Sequence, residues 1–586
     1  MKSGVLRIAL VGGGPSALFM YRRLIASGNK ITISLFEKSG RLGAGMPYSR
    51  CGAGDEHVTN VSANEIPDLP LKPLRWLEGY AKQASDSSYV GYNPYKVFPR
   101  KLFGDYLEAQ FHDLIASGNV LGIKTEIFFN TKVVDISRKE SSVVIFTETS
   151  GRYSFDKVII CTGHQFPSDV NEAETGYYQS PYPPQKLSSQ RDHAVALRGA
   201  SLTAIDAIKT ISRANGSFRK TSDGSLIYKV HPSNPNFKIV LHCRSGMLPA
   251  VRFHLQDSRL KNPLLLTSGQ IAAHRATNEG FLSLDYIFEK DFKEPLRKTA
   301  PSFYEKVKDL TMEEFVNTML ALRESTDPFV LLEEECRQAA RSIEKKESIP
   351  WKEMLGVLSF ALNYPAKYFS AEDMLRYKST LHPLLGLIIA YIPQSSCKEL
   401  LALHKAGCLE LINVGKESRV ERAIDTGIVY HYHDELGNYK KIPYQTYIDC
   451  TGQQHIDLCN FPFRSLVREG SVAQAKLRFQ SAAAAISYRK EHPEQIERGD
   501  DGLYYLKVAG VAINDNFQVI ARSGTADDGI FMMAVPLMGG FNPDYSGLDF
   551  AEEASERIAY KIFQEYPEIG GKTTPSFSKI VCKKVA

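Results

Sequence analysis

A chain of 586 residues with 43% apolar and 23% charged side chains has the composition of a folded globular protein, which excludes a largely disordered one. Its length exceeds what one hydrophobic core supports, roughly 250–300 residues, so several domains are expected. A formal net charge of +5 over that length is too weak a field to demand nucleic acid or an anionic membrane as a partner.

The first elements predict strand, turn, helix, strand. Leu6, Ile8, Leu10 and Val11 form a short apolar strand and Gly12-Gly13-Gly14-Pro15-Ser16 a tight turn. A helix from Ala17 to Ala26 follows, with Tyr21, Leu24 and Ile25 at helical spacing and Gly28 as its stop. The β-branched run Ile31–Phe36 is the next strand, and it ends at Glu37. The apolar stretch Val5–Ile25 is not read as a signal peptide, because it carries the glycine turn and then Arg22-Arg23.

A second copy of this grammar starts near residue 194. Ala194–Leu197 reads as a strand, Gly199-Ala200-Ser201 as a turn, and a helix follows with Ala204, Ile205, Ile208 and Ile211 on one face. After a polar excursion comes the strand Ile239–Cys243. From about Gly280 to Gln394 the pattern turns helical, with Thr311-Met312-Glu313-Glu314 as a capping box ahead of Phe315, Met319 and Leu322. The run Pro383–Ile392 is apolar but covers only half the ~20 residues of a spanning helix. Strand signals return at Ile428–Tyr432 and Ile448–Cys450, and a helix from about Leu548 to Tyr566 closes the pattern, with Asp549 as a candidate N-cap. The polar stretches Gln179–Asp192 and Lys293–Ser302 are candidate linkers. The expected class is therefore α/β, with two Rossmann-like dinucleotide-binding domains and a mainly helical insertion.

The chemistry begins at Gly12-x-Gly14-x-x-Ala17, set between a strand and a helix, with Glu37 25 positions after Gly12. Gly12 permits the tight turn, Gly14 lets backbone approach a pyrophosphate, and Ala17 lets the helix pack closely on the sheet. The helix start at Pro15 and Ser16 offers a positive dipole end to phosphates, and Glu37 can accept hydrogen bonds from ribose hydroxyls. The second turn, Gly199-x-Ser201-x-x-Ala204, has serine in place of the middle glycine. Leu202 and Thr203 open its helix, and Arg244-Ser245 follows directly on the strand Ile239–Cys243. An arginine there, with no Asp or Glu at the strand end, suits a 2′-phosphate and so favours NADPH over NADH.

Other chemistries lack their signatures. The nine cysteines, Cys582 among them, form no C-x-x-C pair, which fits reduced thiols in a cytosolic protein rather than a disulfide framework or structural zinc site. Cys51 stands alone near the first turn, the 14 histidines show no metal-ligand spacing, and neither H-E-x-x-H nor a P-loop nor a nucleophile elbow at a strand–helix turn is present. No metal is expected.

Three further segments carry a resemblance. Arg41-Leu42-Gly43-Ala44-Gly45-Met46-Pro47-Tyr48 follows Glu37-Lys38, a later strand runs Asp156–Ile160 into Cys161-Thr162-Gly163, and Tyr447–Cys450 into Thr451-Gly452 nearly repeats it. Here the sequence resembles the two-dinucleotide flavoprotein family, which includes N-hydroxylating and Baeyer–Villiger-type monooxygenases. Its nearest likeness is to a less characterised branch of FAD/NAD(P)-binding proteins, over residues 5 to about 250 and about 400 to 560. Gly43–Tyr48, Asn60 within His57–Val61, and Pro99-Arg100 carry that likeness.

The resemblance implies FAD in the first unit and NADPH in the second. It places Lys38, Gly45, Met46, Asn60, Val133, Thr162, Gly163, Thr451, Gly452, Gly547 and Leu548 on the cofactors, beside the turn residues already named. The helix start after Gly539–Asp544 and Ser546 would then lie against the flavin ring. It implies residues 1–185 and 447–586 as the FAD-binding domain, 186–290 and 396–446 as the NADPH-binding domain, and 291–395 as the insertion. Phe315, Trp351, Tyr364 and Tyr368 of that insertion are candidates for a substrate-side wall. His57 and Asn60 are candidate catalytic residues. The implied function is an NADPH-using FAD monooxygenase that oxygenates a small amine or amino acid with molecular oxygen, through a flavin hydroperoxide. The alternatives are an NADPH-dependent reductase or dehydrogenase acting on a quinone or other acceptor, and a non-catalytic nucleotide-binding flavoprotein.

Overall fold

Two parallel sheets, each wound on its own glycine turn, organise the chain. The computed structural model describes residues 5–84, 92–164, 166, 171–255, 265–363, 365–453, 455–543 and 547–564. Tyr364, Asp544, Ser546, Tyr566 and Cys582, on which part of the sequence reading falls, lie outside these residues.

In the first sheet the strand Leu6–Val11 lies between Ile31–Phe36 and Lys157–Ile160. Lys124–Phe128 extends it on one side and Ala526–Met532 on the other, all parallel, with Gln518–Ile520 as an antiparallel edge. The central strands are apolar at successive positions because both faces are covered, the signature of a buried parallel sheet. The helix Pro15–Ala26 packs on it, fully buried at Ala17, Leu18, Phe19, Met20 and Tyr21. The terminal helix Gly547–Gln564 returns to this unit, where Glu552 pairs with Arg22 and Arg23.

The second sheet repeats the plan. Ala194–Arg198 lies between Lys238–Cys243 and Thr446–Asp449, with Leu409–Asn413 and Tyr177–Tyr178 at the edges, all parallel. The domain edge expected at Tyr447 thus falls inside a strand of this sheet. Each unit also inserts a three-stranded antiparallel meander, just before Lys157–Ile160 in the first and just before Thr446–Asp449 in the second. These are Val133–Thr147 with Arg152–Phe155 in the first unit, and Arg419–Arg422, Ile428–His433 and Tyr439–Tyr444 in the second.

The helical segment is inserted between two adjacent strands of the second sheet, Lys238–Cys243 and Leu409–Asn413. Its helices begin at Ser268, earlier than the sequence reading placed them, because Thr267 and Gln270 form a capping box. Lys293–Ser302 is not a linker: π-helical Phe288–Lys293 runs into the helices Glu294–Thr299 and Pro301–Val307. The box at Thr311 caps the helix Met312–Glu324, with Phe315 fully buried and Leu322 61% exposed. Asp549 lies in the first turn of its helix, two residues past Gly547, and is not the N-cap. Among the described residues no helix is long and apolar enough to cross a membrane.

Candidate dinucleotide sites and the joint between them

Each glycine turn is pressed against a Cys-Thr-Gly loop from the neighbouring strand. Gly12 has φ +101°, donates its N–H to Phe36 O at 2.8 Å, and a Cβ on it would lie 2.8 Å from Cys161 O. Gly199 has φ +108°, donates to His242 O at 2.9 Å, and a Cβ there would lie 2.9 Å from Cys450 O. The strands lock in the same way, with Cys161 N–H on Val11 O at 2.8 Å and Cys450 N–H on Arg198 O at 2.9 Å. Only glycine suits these two positions, on grounds of both φ and space.

Around the first turn the sequence-predicted residues converge. The helix Pro15–Ala26 starts at Gly14 with no side chain capping it, so the amides of Ser16 and Ala17 keep free donors at the positive end of the dipole. Glu37 is 8% exposed and its Oε2 accepts the Gly13 N–H at 2.7 Å, while Oε1 accepts that of Ser39 at 2.8 Å. Gly43 N–H reaches Gly13 O at 2.7 Å, and a Cβ on Gly14 would stand 3.3 Å from Gly45 Cα. The short helix Gly45–Tyr48, with Met46 half-buried, therefore flanks the turn. Val133 opens its strand close to the Glu37 strand end, where Thr131 N–H donates to Glu37 O at 2.9 Å. Lys38 is exposed, Thr162 half-buried, and Gly163 opens on space, with nothing within 4 Å of a Cβ built on it. At the last helix Gly547 is likewise open, and Leu548 is buried.

Around the second turn, Ser201 is exposed at the head of the helix Leu202–Asn215 and makes no capping hydrogen bond. Its hydroxyl and the first-turn amides of Leu202 and Thr203 are available together. Thr203 Oγ1 lies 3.7 Å from the Cβ position of Gly452, and Thr451 is held by Asp449 through N–H and Oγ1 at 2.9 and 2.6 Å. Arg244 is exposed past the end of its strand, and it makes no hydrogen bond or ion pair with the described residues. Ser245 Oγ lies 3.5 Å from Cys243 Sγ.

His57 has a different place from the one expected. It is 1% exposed; Nδ1 accepts the Gly54 N–H at 3.1 Å, and Nε2 lies 3.2 Å from both Asp206 O and Thr210 Oγ1. Both ring nitrogens are engaged in a buried joint between the two units, which leaves none for acid–base work. Asp206 of the second-unit helix also binds Arg100, the residue in the Pro99-Arg100 motif, and accepts the Tyr182 hydroxyl at 2.5 Å. Burial opposes the Asp206 charge, yet Arg100, His57 and the Tyr182 hydrogen bond together hold its carboxyl below the usual range. A second joint forms at Arg252, which donates to Ser62 Oγ at 2.9 Å and pairs with Glu65 and with the carbonyl of Asn60. Asn60 thus sits at this seam, half-buried, with its backbone rather than its side chain engaged.

The expected aromatic wall also resolves differently. Phe315 packs on Phe288 and Phe292 inside the helical segment, so it is core. Trp351 faces Phe303 at 6.0 Å, and Tyr368 reaches across to the first unit, its hydroxyl 2.6 Å from Asp515. The sequence reading missed the pairing of Asp206 with Arg100. A polar Asp206 between Ile205 and Ala207, in a helix with an apolar face, was the available signal. Among the described residues no group of three or more His, Cys, Asp or Glu is placed to hold a metal ion.

Two segments of the chain match known protein families. Residues 9–165 match the family model described as FAD-NAD(P)-binding, and residues 267–389 that of the YdhS-like middle domain. The uncharacterized protein YdhS of Escherichia coli K12 is 25% identical over 472 residues, 78% of this chain and 85% of that protein. Among solved structures, the ornithine N-hydroxylase KtzI of Kutzneria sp. 744 superposes with a TM-score of 0.48 at 12% identity, covering 96% of this chain and 100% of that one. The bacillithiol disulfide reductase Bdr of Staphylococcus aureus superposes at 0.43 and 9% identity, covering 96% and 99%. The FAD-NAD(P)-binding match thus covers the unit built on the first glycine turn, and the second parallel sheet repeats that unit's plan.

Proposed function

We propose that the chain is an FAD-dependent oxidoreductase that draws electrons from NADPH, and that it acts as a monooxygenase on a small amine or amino acid with molecular oxygen. The observation that carries this reading is the pair of equivalent junctions, Gly12 on Cys161 and Gly199 on Cys450, in units fixed to each other through Asp206.

The residues suit the two cofactors differently. At the first turn the uncapped helix start and the bare Gly14 admit a pyrophosphate, and Glu37 retains lone pairs for ribose hydroxyls beside the backbone amides it already holds. At the second, Ser201 Oγ and the free amides of Leu202 and Thr203 face the phosphates, and the unpaired Arg244 guanidinium, with Ser245, meets a 2′-phosphate. Bound FAD would supply the redox chemistry, accepting hydride and reacting with oxygen. The protein's part is to hold the two units in one orientation: Arg100, Tyr182 and His57 lock the second-unit helix to the first unit, which fixes the approach of donor to acceptor.

The test is direct. The purified protein is assayed for bound flavin, for NADPH against NADH oxidation, and for peroxide release across a panel of amines, amino acids and acids. A yellow protein that prefers NADPH, and whose peroxide release falls as an oxygenated product forms, supports the reading. Electron transfer to a quinone without oxygen insertion would favour a reductase, and a colourless protein that cannot be reconstituted with FAD would end the proposal.

A further inference from the structure

We propose that a cavity between the helical segment and the last helix binds a small organic ammonium ion, with Asp291 as its charge partner and its apolar body among Leu282, Ile287 and Phe360. This site stands apart from the flavoprotein reading, since neither glycine turn lines the cavity.

The cavity measures about 380 Å³, a volume that suits a small molecule. The helical segment supplies most of its wall: Leu266 ahead of the capping box at Thr267, Leu282 and Ile287, and Phe360 and Ala361 near the end of the helix Pro350–Leu362. The last helix, Gly547–Gln564, closes it with Glu553 and Arg557.

Asp291 also lines this cavity, and it is only 2% exposed. It lies in the π-helical turn Phe288–Lys293, a form that recurs at functional sites. Its Oδ1 accepts the Leu266 N–H at 3.0 Å, whereas Oδ2 takes no hydrogen bond from a described residue. The cations nearby are committed to other acids. On the same turn Lys290 pairs with Glu294, and Lys293 pairs with Glu289 at 3.1 Å. On the last helix Arg557 binds Glu553 at 2.5 Å. Burial, helped by repulsion from Glu294 and opposed by the Leu266 hydrogen bond, pushes the Asp291 carboxyl up to about 7. A buried carboxylate is stabilised by a cation within hydrogen-bond distance, and here the cavity brings one to Oδ2.

The arrangement selects the kind of cation. With Oδ1 held by backbone, a compact ammonium suits the remaining oxygen better than a guanidinium fork, which needs two. Glu553 and Arg557 neutralise each other, so ionised Asp291 sets the sign of the cavity and a monocation balances it. Leu282, Ile287 and Phe360 are buried and apolar, so they hold a hydrocarbon body and keep water from weakening the ion pair.

The experiment is a calorimetric titration of the full-length protein, with and without FAD, at about pH 8, where Asp291 is mostly ionised. Benzylammonium is compared with benzyl alcohol and benzoate. Benzylammonium is expected to bind at least about tenfold more tightly than benzyl alcohol, and benzoate not at all. Asp291→Asn keeps the acceptor for Leu266 and the shape of the side chain, and it should weaken benzylammonium at least about tenfold. Ala361→Leu, which fills part of the cavity and leaves the carboxylate in place, should weaken it to a similar degree. Equal binding of benzyl alcohol, binding of benzoate, or parental affinity in either variant would each overturn the site. A protein that binds benzylammonium through Asp291 but takes up no FAD would end the flavoprotein reading and leave this site standing. A yellow, NADPH-reducible protein that binds no benzylammonium would do the reverse.

Discussion

Glu37 holds the first glycine turn through Gly13: one carboxylate oxygen accepts the Gly13 N–H at 2.7 Å, and the other that of Ser39 at 2.8 Å. The side chain expected to meet a ribose is therefore also a strut of the turn that meets the phosphates. Glu37→Ala leaves a buried amide without an acceptor, which costs about 1–3 kcal/mol. Its FAD affinity should fall at least about tenfold, with Glu37→Gln in between because it keeps one acceptor oxygen. Fluorescence titration of the apoprotein with FAD reads the effect; unchanged affinity in Glu37→Ala would show that the strut does not matter to the cofactor.

The equivalence of Gly12 and Gly199 makes a paired prediction. Each has a φ beyond +100°, and each would place a Cβ under 3.0 Å from a carbonyl oxygen, that of Cys161 or of Cys450. Alanine at either position forces strain of about 1–3 kcal/mol and opens the turn from its neighbouring loop. Gly12→Ala should lose flavin. Gly199→Ala should keep its flavin and raise the KM for NADPH about tenfold or more. Flavin content and NADPH kinetics on the two variants separate the units, and loss of flavin from Gly199→Ala would blur them.

What was legible in the sequence was local. Gly12, Gly14, Ala17 and Glu37 act within one strand–turn–helix–strand, and the second turn repeats that grammar, so spacing alone reveals both. The box at Thr311 was readable for the same reason, and the one at Thr267 carries the same signal in Thr-Ser-Gly-Gln but went unread. The joints were not legible, because Arg100 and Asp206, or Glu65 and Arg252, are brought together only by the packing of one unit on the other. His57 shows the consequence: a histidine in a loop expected beside the flavin reads as a catalyst until Gly54 is seen to occupy its Nδ1 and the second-unit helix its Nε2.

Arg244 is exposed, and unpaired among the described residues, at the strand end where a 2′-phosphate would sit. Its removal costs charge-assisted hydrogen bonds worth about 1.5–3 kcal/mol, made to NADPH but not to NADH. Arg244→Ala should therefore raise the KM for NADPH by about 10- to 100-fold and leave that for NADH nearly unchanged. Steady-state kinetics with both nucleotides decide it, and equal effects on the two would remove Arg244 from the 2′-phosphate site.

The joint at Asp206 should be the first part of the interface to report a broken ion pair. Asp206 is buried against Arg100, Tyr182 and His57, so replacing it with alanine strands the Arg100 guanidinium at a cost of about 3–5 kcal/mol. Asp206→Ala should lower the urea midpoint clearly. Tyr182→Phe, which removes one hydrogen bond and leaves the ion pair, should lower the stability by only about 1 kcal/mol. Equal midpoints for Asp206→Ala and the parent would show that the units are held elsewhere.

Two buried histidines are kept neutral in the native state, and acid should loosen the protein through them. His242 lies with its ring 4.0 Å from that of Tyr430, and burial pushes it down to about 4, the backbone carbonyls of Leu197 and Val240 offsetting only part. Burial likewise lowers His57, outweighing the attraction of the Asp206 carboxylate. In the unfolded chain both titrate near ~6.5. Below that pH the unfolded chain takes up protons that the native state refuses, so stability is complete above ~6.5 and is lost as pH falls toward the native values. For His242 the loss over the whole window is roughly 3 kcal/mol. These two rings should therefore lower the urea midpoint between about pH 7 and pH 5, against an opposing gain from Asp291, whose carboxyl burial pushes up to about 7. His242→Phe, which keeps the ring stack, should flatten part of that slope, and His57→Gln a further part. Slopes in His242→Phe and His57→Gln equal to that of the parent would mean that these rings are protonated in the folded protein, and that neither the stack on Tyr430 nor the joint at Asp206 excludes their charge.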